Sequence, residues 1–460
     1  MVSFWPALSA WCRRILEAKC VFNLIRACTV YYTLMSTVDD FKYVLTLWHD
    51  FQPHNIIARD MEIDLDAGKV IAIAGVRGAG KTHVMFQCID RLVKRGVRQD
   101  NIVYADFENE RLVGLKATDL DNLLIAHREL FNPDGMVYLF LDEIQNVENW
   151  HKWVRKQYAT GKYRLIITGS SSELLSSEIA TSLAGRNLTY VVYPFSFEEY
   201  LNARNVRIHS LTRYSSERGL ILRALNEFLE FGSFPEIALA SNNTRKLDIL
   251  SSYFDAIFFR DIVRRYGTRQ VVELNVLLKI ISSNYASYFS SVKSLNSFCS
   301  AGLKITRMTI LKFMEHAKSV FLVNTLEQYE MSVRKRISRP SKSYITDIGI
   351  ARLFSDIDKG RSLENAVFLE LIRRKSPTDS INYLKLKSGR EVDFILGGKR
   401  KELIQVCYDV SDPSTRSRET AALVEAAIKF ELNEGVVITY EYESEEIVEN
   451  VTVRYVPFWI

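Results

Sequence analysis

The chain has 460 residues, room for two to four domains, each with its own core. Apolar residues at 47% and charged residues at 25% are the balance of an ordinary globular protein; 60 Lys and Arg against 55 Asp and Glu leave a formal +5, too mild to mark a nucleic-acid binder by itself. Six cysteines (Cys12, Cys20, Cys28, Cys88, Cys299, Cys407) show no CxxC pair and no ligand spacing, which argues against a zinc site or a disulfide framework and fits a reducing cytoplasm.

The first 34 residues are aromatic but interrupted by Arg13, Arg14, Glu17, Lys19 and Arg26, so they offer no apolar run of about 18 residues to span a bilayer. They read as an amphipathic helix or as sequence upstream of a start at Met35; a helix lying on a membrane surface is a further reading. Next, "KVIAIAG" (69–75) predicts a buried parallel strand, and "KTHVMFQCIDRLVKRG" from Lys81 predicts a helix. The turn between them spells GxxxxGK(S/T) as Gly75, Val76, Arg77, Gly78, Ala79, Gly80, Lys81 and Thr82. Glycines let backbone N–H groups wrap a polyphosphate, and a helix N-terminus adds partial positive charge. ATP is therefore expected here, with Lys81 at the β/γ-phosphates and the Thr82 hydroxyl on Mg²⁺.

"NIVYADFENERL" predicts another strand, and "MVYLFLDEIQNVENW" (136–150) an apolar strand ending in Asp142 and Glu143. Asp142 is expected to hold Mg²⁺ through water, and Glu143 to take a proton from the attacking water. A strand added between the two motif strands, and a Glu after the Asp, point to the glutamate-using branch of P-loop ATPases. "YRLIITGSSSELL" (163–175) adds a strand whose end carries Thr168 and Ser170, candidate γ-phosphate sensors; a helix cap at Ser171 or Ser172 is the alternative. Arg186 could complete a neighbouring subunit's site as an arginine finger, or be a surface or ion-pair residue.

Taken together, "GVRGAGKT", "YLFLDEIQNVENW", "LIITGSSSELLSSEIATSLAGR" and "YPFSFEEYL" resemble the archaeal and bacterial predicted ATPases of the AAA+ type, which carry a characteristic C-terminal domain of unknown function. The resemblance runs from about residue 40 to 460 and takes in "FGSFPEIAL" and "FFRDIVRRYG". It implies ATP binding, hydrolysis and a DNA-linked role.

Helical patterns over 196–270 predict a lid on the nucleotide, with Gly232 to Pro235 as an ordinary helix–helix turn, a hinge or a segment that approaches the nucleotide base, and Arg260 with Asp261 as a structural ion pair. Residues 271–350 predict three helices, "VKSLNSFCS" and "TRMTILKFMEHAK" forming a helix-turn-helix, followed by a strand and a basic wing, "SVRKRISRPSKSY". From Lys304 to Lys342 there are nine Lys or Arg and three Glu, a local +6 that exceeds the whole chain's +5. Arg307, Arg334, Lys335, Arg336 and Arg339 are the candidate contacts to duplex DNA; a protein-interaction module is the alternative. The last segment has the element order of the PD-(D/E)xK nuclease fold. Glu364 and Asp393 fill its first two places, but Gln405 and Cys407 replace the expected Glu and Lys, so a degenerate site is expected.

The expectation is an α/β chain: an extension (1–36), a P-loop core with a parallel sheet (37–200), a helical lid (201–270), a winged-helix-like domain (271–350) and an α+β restriction-endonuclease-like domain (351–460). Its expected work is Mg²⁺-dependent ATP hydrolysis in the cytoplasm, as a homo-oligomer if the finger acts, with nucleotide state moving the C-terminal domains on DNA. An ATP-holding switch with negligible turnover is the alternative, and an ATP-dependent nuclease is a third reading.

Overall fold

The computed structural model describes residues 37–50, 56–172, 185–208, 217–330, 332–376, 378–398 and 400–460. The N-terminal extension and the helix expected after Ser172 lie outside them. Five short apolar runs form a parallel sheet: β1 (Val70–Ala74), β2 (Ile102–Asp106), β3 (Val137–Asp142), β4 (Tyr163–Gly169) and β5 (Asn187–Val191), in the order β2-β3-β4-β1-β5. Every residue of β1 is buried, as expected of a strand covered on both faces. Ile71 and Phe140 both pair with Ile166 of β4, so three residues further on Ala74 and Glu143 come level at one edge. That register sets the P-loop beside the acidic pair. The strand between β1 and β3 is β4; "NIVYADFENERL" supplies β2, which lies at the sheet's edge instead.

Helices Phe197–Ala203, Glu217–Phe231, Pro235–Leu239 and Asn243–Asp255 follow, and the last runs into a π-helical stretch, Ala256–Arg264. Gly232 turns the chain between two of them with φ 78°. A Cβ there would fall 1.8 Å from the Asp347 carboxylate, which accepts the N–H groups of Ser233 (2.7 Å) and Gly349 (2.8 Å). The turn is thus bound to a segment more than a hundred residues later.

Helix Val271–Ser283, β6 (Ser287–Tyr288), helices Ser291–Ser300 and Arg307–Ser319, β7 (Val323–Leu326) and β8 (Lys342–Ile345) form a small unit around a three-stranded antiparallel sheet, β6-β8-β7. The basic stretch expected as a hairpin wing contains a short helix, Val333–Ser338. Its straight-chain Arg and Lys residues favour helix, and Pro340 stops it. Helix Lys359–Arg374 then leads into a separate mixed sheet, β13-β14-β12-β11-β10-β9, from β9 (Ser380–Lys385), β10 (Glu391–Gly397), β11 (Glu402–Cys407), β12 (Glu434–Thr439), β13 (Ser444–Val448) and β14 (Val451–Pro457). β9, β10 and β11 run antiparallel, and β11, β12 and β14 parallel. The buried Asn365 side chain accepts the Ile345 N–H (2.9 Å) and donates to the Ile345 carbonyl (2.8 Å), standing in for a neighbouring strand beside β8. One apolar core continues from the parallel sheet through the helices of 271–319 to Tyr344 and Phe394. Among the described residues, no helix is long and apolar enough to cross a membrane.

Gly232→Ala has neither the backbone freedom nor the space it needs, so it should destabilise the protein by about 3 kcal/mol or more. A urea midpoint equal to wild type would show that the turn can relax away from Asp347.

Candidate active site

At the C-terminal edge of the parallel sheet, Gly75, Gly78 and Gly80 all adopt positive φ, between 81° and 155°. A Cβ at Gly75 would strike the Val192 carbonyl oxygen at 2.2 Å, and one at Gly78 the Tyr253 ring at 2.6 Å. The loop therefore needs glycine for space as well as for conformation. Helix Lys81–Lys94 starts directly after Gly80, with its first N–H groups at the loop.

The Lys81 ammonium is buried. It donates to the carbonyls of Gly75 (3.2 Å) and Val76 (3.4 Å) and lies 3.2 Å from the Glu143 carboxylate. The Thr82 hydroxyl donates to Asp142 (2.7 Å), as do the Tyr104 hydroxyl (2.8 Å) and the Thr168 hydroxyl. Thr168 also accepts the Glu143 N–H (2.9 Å), so it holds both acids in register. Burial, with the Glu143 charge beside it, pushes the Asp142 carboxyl above its ordinary range. Burial would raise Glu143 too. The Lys81 ammonium, a hydrogen bond from Gln145 and the Arg77 charge outweigh that and hold it down to about 2.

The surroundings come from remote parts of the chain. Arg59, also buried, donates to Ala79 O (2.7 Å), Tyr193 O (2.7 Å) and Glu199 (2.9 Å), tying the P-loop to the segment before the lid. Arg77 bonds Glu108 (2.7 Å) and Asp261 (3.2 Å), and Arg260 bonds Glu108 (2.8 Å). Arg260 and Asp261 are thus not paired with each other, as the sequence suggested; each turns to a group around the P-loop. A cavity of about 570 Å³ opens over Gly78, Gly80, Lys81, Thr82, Asp142 and Glu143, and Ile57, Phe195, Pro235, Leu239 and Tyr253 also line it. Its mixture of apolar and charged groups suits a base and a polyphosphate. Thr82 and Asp142 set two oxygen donors side by side near Lys81, a donor set that fits Mg²⁺.

Ser170, the other candidate sensor, is buried with its hydroxyl 3.5 Å from Asp261 and from Gln145 Nε2. Arg186 is exposed at the start of β5, beside Val70 at the opposite end of β1 from the P-loop. It is therefore remote from its own chain's nucleotide cavity. Arg307, Arg334 and Lys335 are exposed and Arg336 half-exposed; Arg336 lies 4.0 Å from Glu327, and Arg339, also exposed, 3.5 Å from Glu330. Arg59, Tyr104, Glu108 and Tyr253 escaped sequence reasoning, because no local pattern marks a lone side chain that acts over a long sequence separation.

Residues 67–201 match the model of a family described as an AAA domain, residues 222–361 a domain of unknown function (DUF8612) and residues 359–459 another (DUF4143). With the parallel sheet and the cavity, this defines an AAA-type P-loop ATPase followed by C-terminal domains of unknown function. The chain is 39% identical to the uncharacterized protein MJ1544 of Methanocaldococcus jannaschii over 415 residues, 88% of this chain and 90% of that one, and it belongs to the same family. An uncharacterized protein of Haemophilus influenzae is 29% identical over 86% of this chain and 95% of its own length. Among solved structures, the Walker-type ATPase of Pyrococcus abyssi aligns over 66% of this chain and 99% of its own at 15% identity, with a TM-score of 0.40.

The depressed Glu143 value carries a pH signature. Its ion pair contributes stability above 4.5, lost as pH falls towards about 2. The stability gap between wild type and Glu143→Gln should therefore shrink as pH is lowered through that window in urea titrations. A gap independent of pH would show that the pair adds nothing to stability.

Proposed function

We propose that this protein binds ATP with Mg²⁺ and hydrolyses it, and that the nucleotide state moves a C-terminal half that engages duplex DNA. The convergence of Lys81, Thr82, Asp142 and Glu143 on one cavity supports the hydrolytic reading. Lys81 exchanges its contact with Glu143 for the β/γ-phosphates, where its charge is felt in the transition state. Thr82 and Asp142 would hold Mg²⁺, which would supply charge neutralisation for the phosphates. Glu143, freed from Lys81, accepts the proton of the water that attacks the γ-phosphorus. Thr168 positions both acids, and Thr168 and Ser170 are the proposed γ-phosphate sensors, with Ser170 also reaching Asp261 of the π-helical stretch. Arg186 acts only in trans, on a neighbouring subunit.

The Lys81–Glu143 pair keeps the base engaged only until a phosphate displaces it. The alternative is an ATP-bound DNA- or protein-binding switch with negligible turnover.

The DNA reading rests on topology and charge. Helix, strand, two helices and two further strands, in the sheet order β6-β8-β7, are the order of a winged helix. Its second helix pair turns at Gly302 and exposes Lys304, Arg307, Met308, Leu311 and Lys312. The C-terminal unit, with its helix, three antiparallel strands, helix and parallel strand, has the order of the nuclease-like core.

Lys81→Ala should abolish ATP binding in a calorimetric titration. Glu143→Gln should keep binding and lower turnover by roughly 10²–10⁴-fold. Arg186→Ala should lower turnover at unchanged ATP affinity; full turnover would leave Arg186 a surface residue. Wild-type turnover in Glu143→Gln would remove Glu143 from the base role.

Replacing Arg334, Lys335 and Arg336 with Ala should weaken binding to duplex DNA and flatten its salt dependence by about one unit of slope for each phosphate that is no longer neutralised. Unchanged affinity and slope across a salt series would exclude this face.

A further inference from the structure

Three acids that line a pocket of the C-terminal unit already share a cation, which reaches them from outside the cavity. Glu364, on helix Lys359–Arg374, and Glu391 and Asp393, on β10, converge at a cavity of about 600 Å³. Lys342 reaches them from β8, a strand of the three-stranded sheet. Its buried ammonium lies 2.9 Å from Glu364, 2.7 Å from Glu391 and 3.2 Å from Asp393. Burial works against the charge, but the three carboxylates raise the affinity of Lys342 for its proton above the ordinary value. Two tyrosines of the same small sheet add donors: the Tyr344 hydroxyl to Glu364 (2.8 Å) and the Tyr288 hydroxyl to Glu391. The second Asp393 oxygen accepts the Val406 N–H (3.0 Å).

A nuclease-like fold implies a divalent ion at Glu364 and Asp393, and these residues do not fit one. Mg²⁺ needs oxygens at about 2.0–2.1 Å in near-octahedral array. Here an ammonium sits among the same oxygens, making hydrogen bonds instead. Gln405, in the third motif position, is spent as well: its carbonyl accepts the Asp393 N–H (3.2 Å) and its amide donates to Glu419 (2.5 Å). Among the described residues, no group of three or more His, Cys, Asp or Glu is arranged to hold a metal ion.

We infer that Lys342 is the resident counterion of these three carboxylates, a tethered charge supplied by the neighbouring sheet that takes up the oxygens a divalent ion would need. The two units are joined through it, and while they are packed together the pocket takes no metal. The missing third-motif lysine is thus answered from a different strand, and as a counterion. This rests on the side chains around Lys342 and stands apart from the ATPase reading, which Glu143→Gln tests.

Mn²⁺ alone, without nucleotide, is a suitable probe for the full-length protein, with free ion followed by electron paramagnetic resonance. Wild type and Asp393→Asn should take up Mn²⁺ equally, since the pocket contributes no site. Lys342→Met removes the charge and leaves the carboxylates, so its Mn²⁺ affinity should tighten by about tenfold or more, with a rise in Tm on Mn²⁺ addition. Adding Asp393→Asn to Lys342→Met should cancel both gains. A wild-type Mn²⁺ site that disappears in Asp393→Asn would overturn the inference, and that comparison does not depend on how Lys342→Met folds. A folded Lys342→Met protein with wild-type Mn²⁺ affinity would overturn it too.

Discussion

A buried ammonium needs a buried anion, because desolvating a lone charge costs several kcal/mol. This chain meets the requirement twice, with opposite consequences. At Lys81 the anion is Glu143, 3.2 Å away at the mouth of an open cavity. A polyphosphate entering that cavity offers more negative charge than one carboxylate, so the counterion can be exchanged. At Lys342 three carboxylates contact the ammonium and two tyrosines donate to two of them, so its counterions come from within the fold. One lysine is set up to respond to a ligand and the other to hold two sheets together.

Contacts between the two places run along a short path. β8 carries Lys342 at its start and is followed within two residues by Asp347, whose carboxylate accepts the Ser233 N–H. Two residues on from Ser233, Pro235 lines the nucleotide cavity. A second path uses arginines. Arg59 donates to Tyr193 O, and Arg373, on the helix that bears Glu364, donates to Pro194 O (2.9 Å) and Phe195 O (3.2 Å). Phe195 lines the same cavity. Backbone beside the cavity is thus hydrogen-bonded to later parts of the chain at two places, and one apolar core runs behind both.

What could be read from the sequence was chemistry carried by neighbours in the chain. The P-loop is eight consecutive residues, because its work is done by consecutive backbone N–H groups and the helix that follows. Asp142 and Glu143 were legible as the end of an apolar strand, and helices Ser291–Ser300 and Arg307–Ser319 as two short amphipathic runs around Gly302. The strand order was less so: sequence marks where strands are, but whether β2 or β4 separates β1 from β3 depends on crossovers that leave no local trace.

The tertiary structure alone decided which charges meet. Arg260 and Asp261 are adjacent in the chain and bond elsewhere, to Glu108 and Arg77. Lys342 read as one more positive charge in a basic stretch, yet it is buried among acids 22, 49 and 51 positions away. Counting charge along a sequence measures supply. Where each charge is spent depends on which surfaces the apolar core brings together, and that is settled by packing over the whole chain.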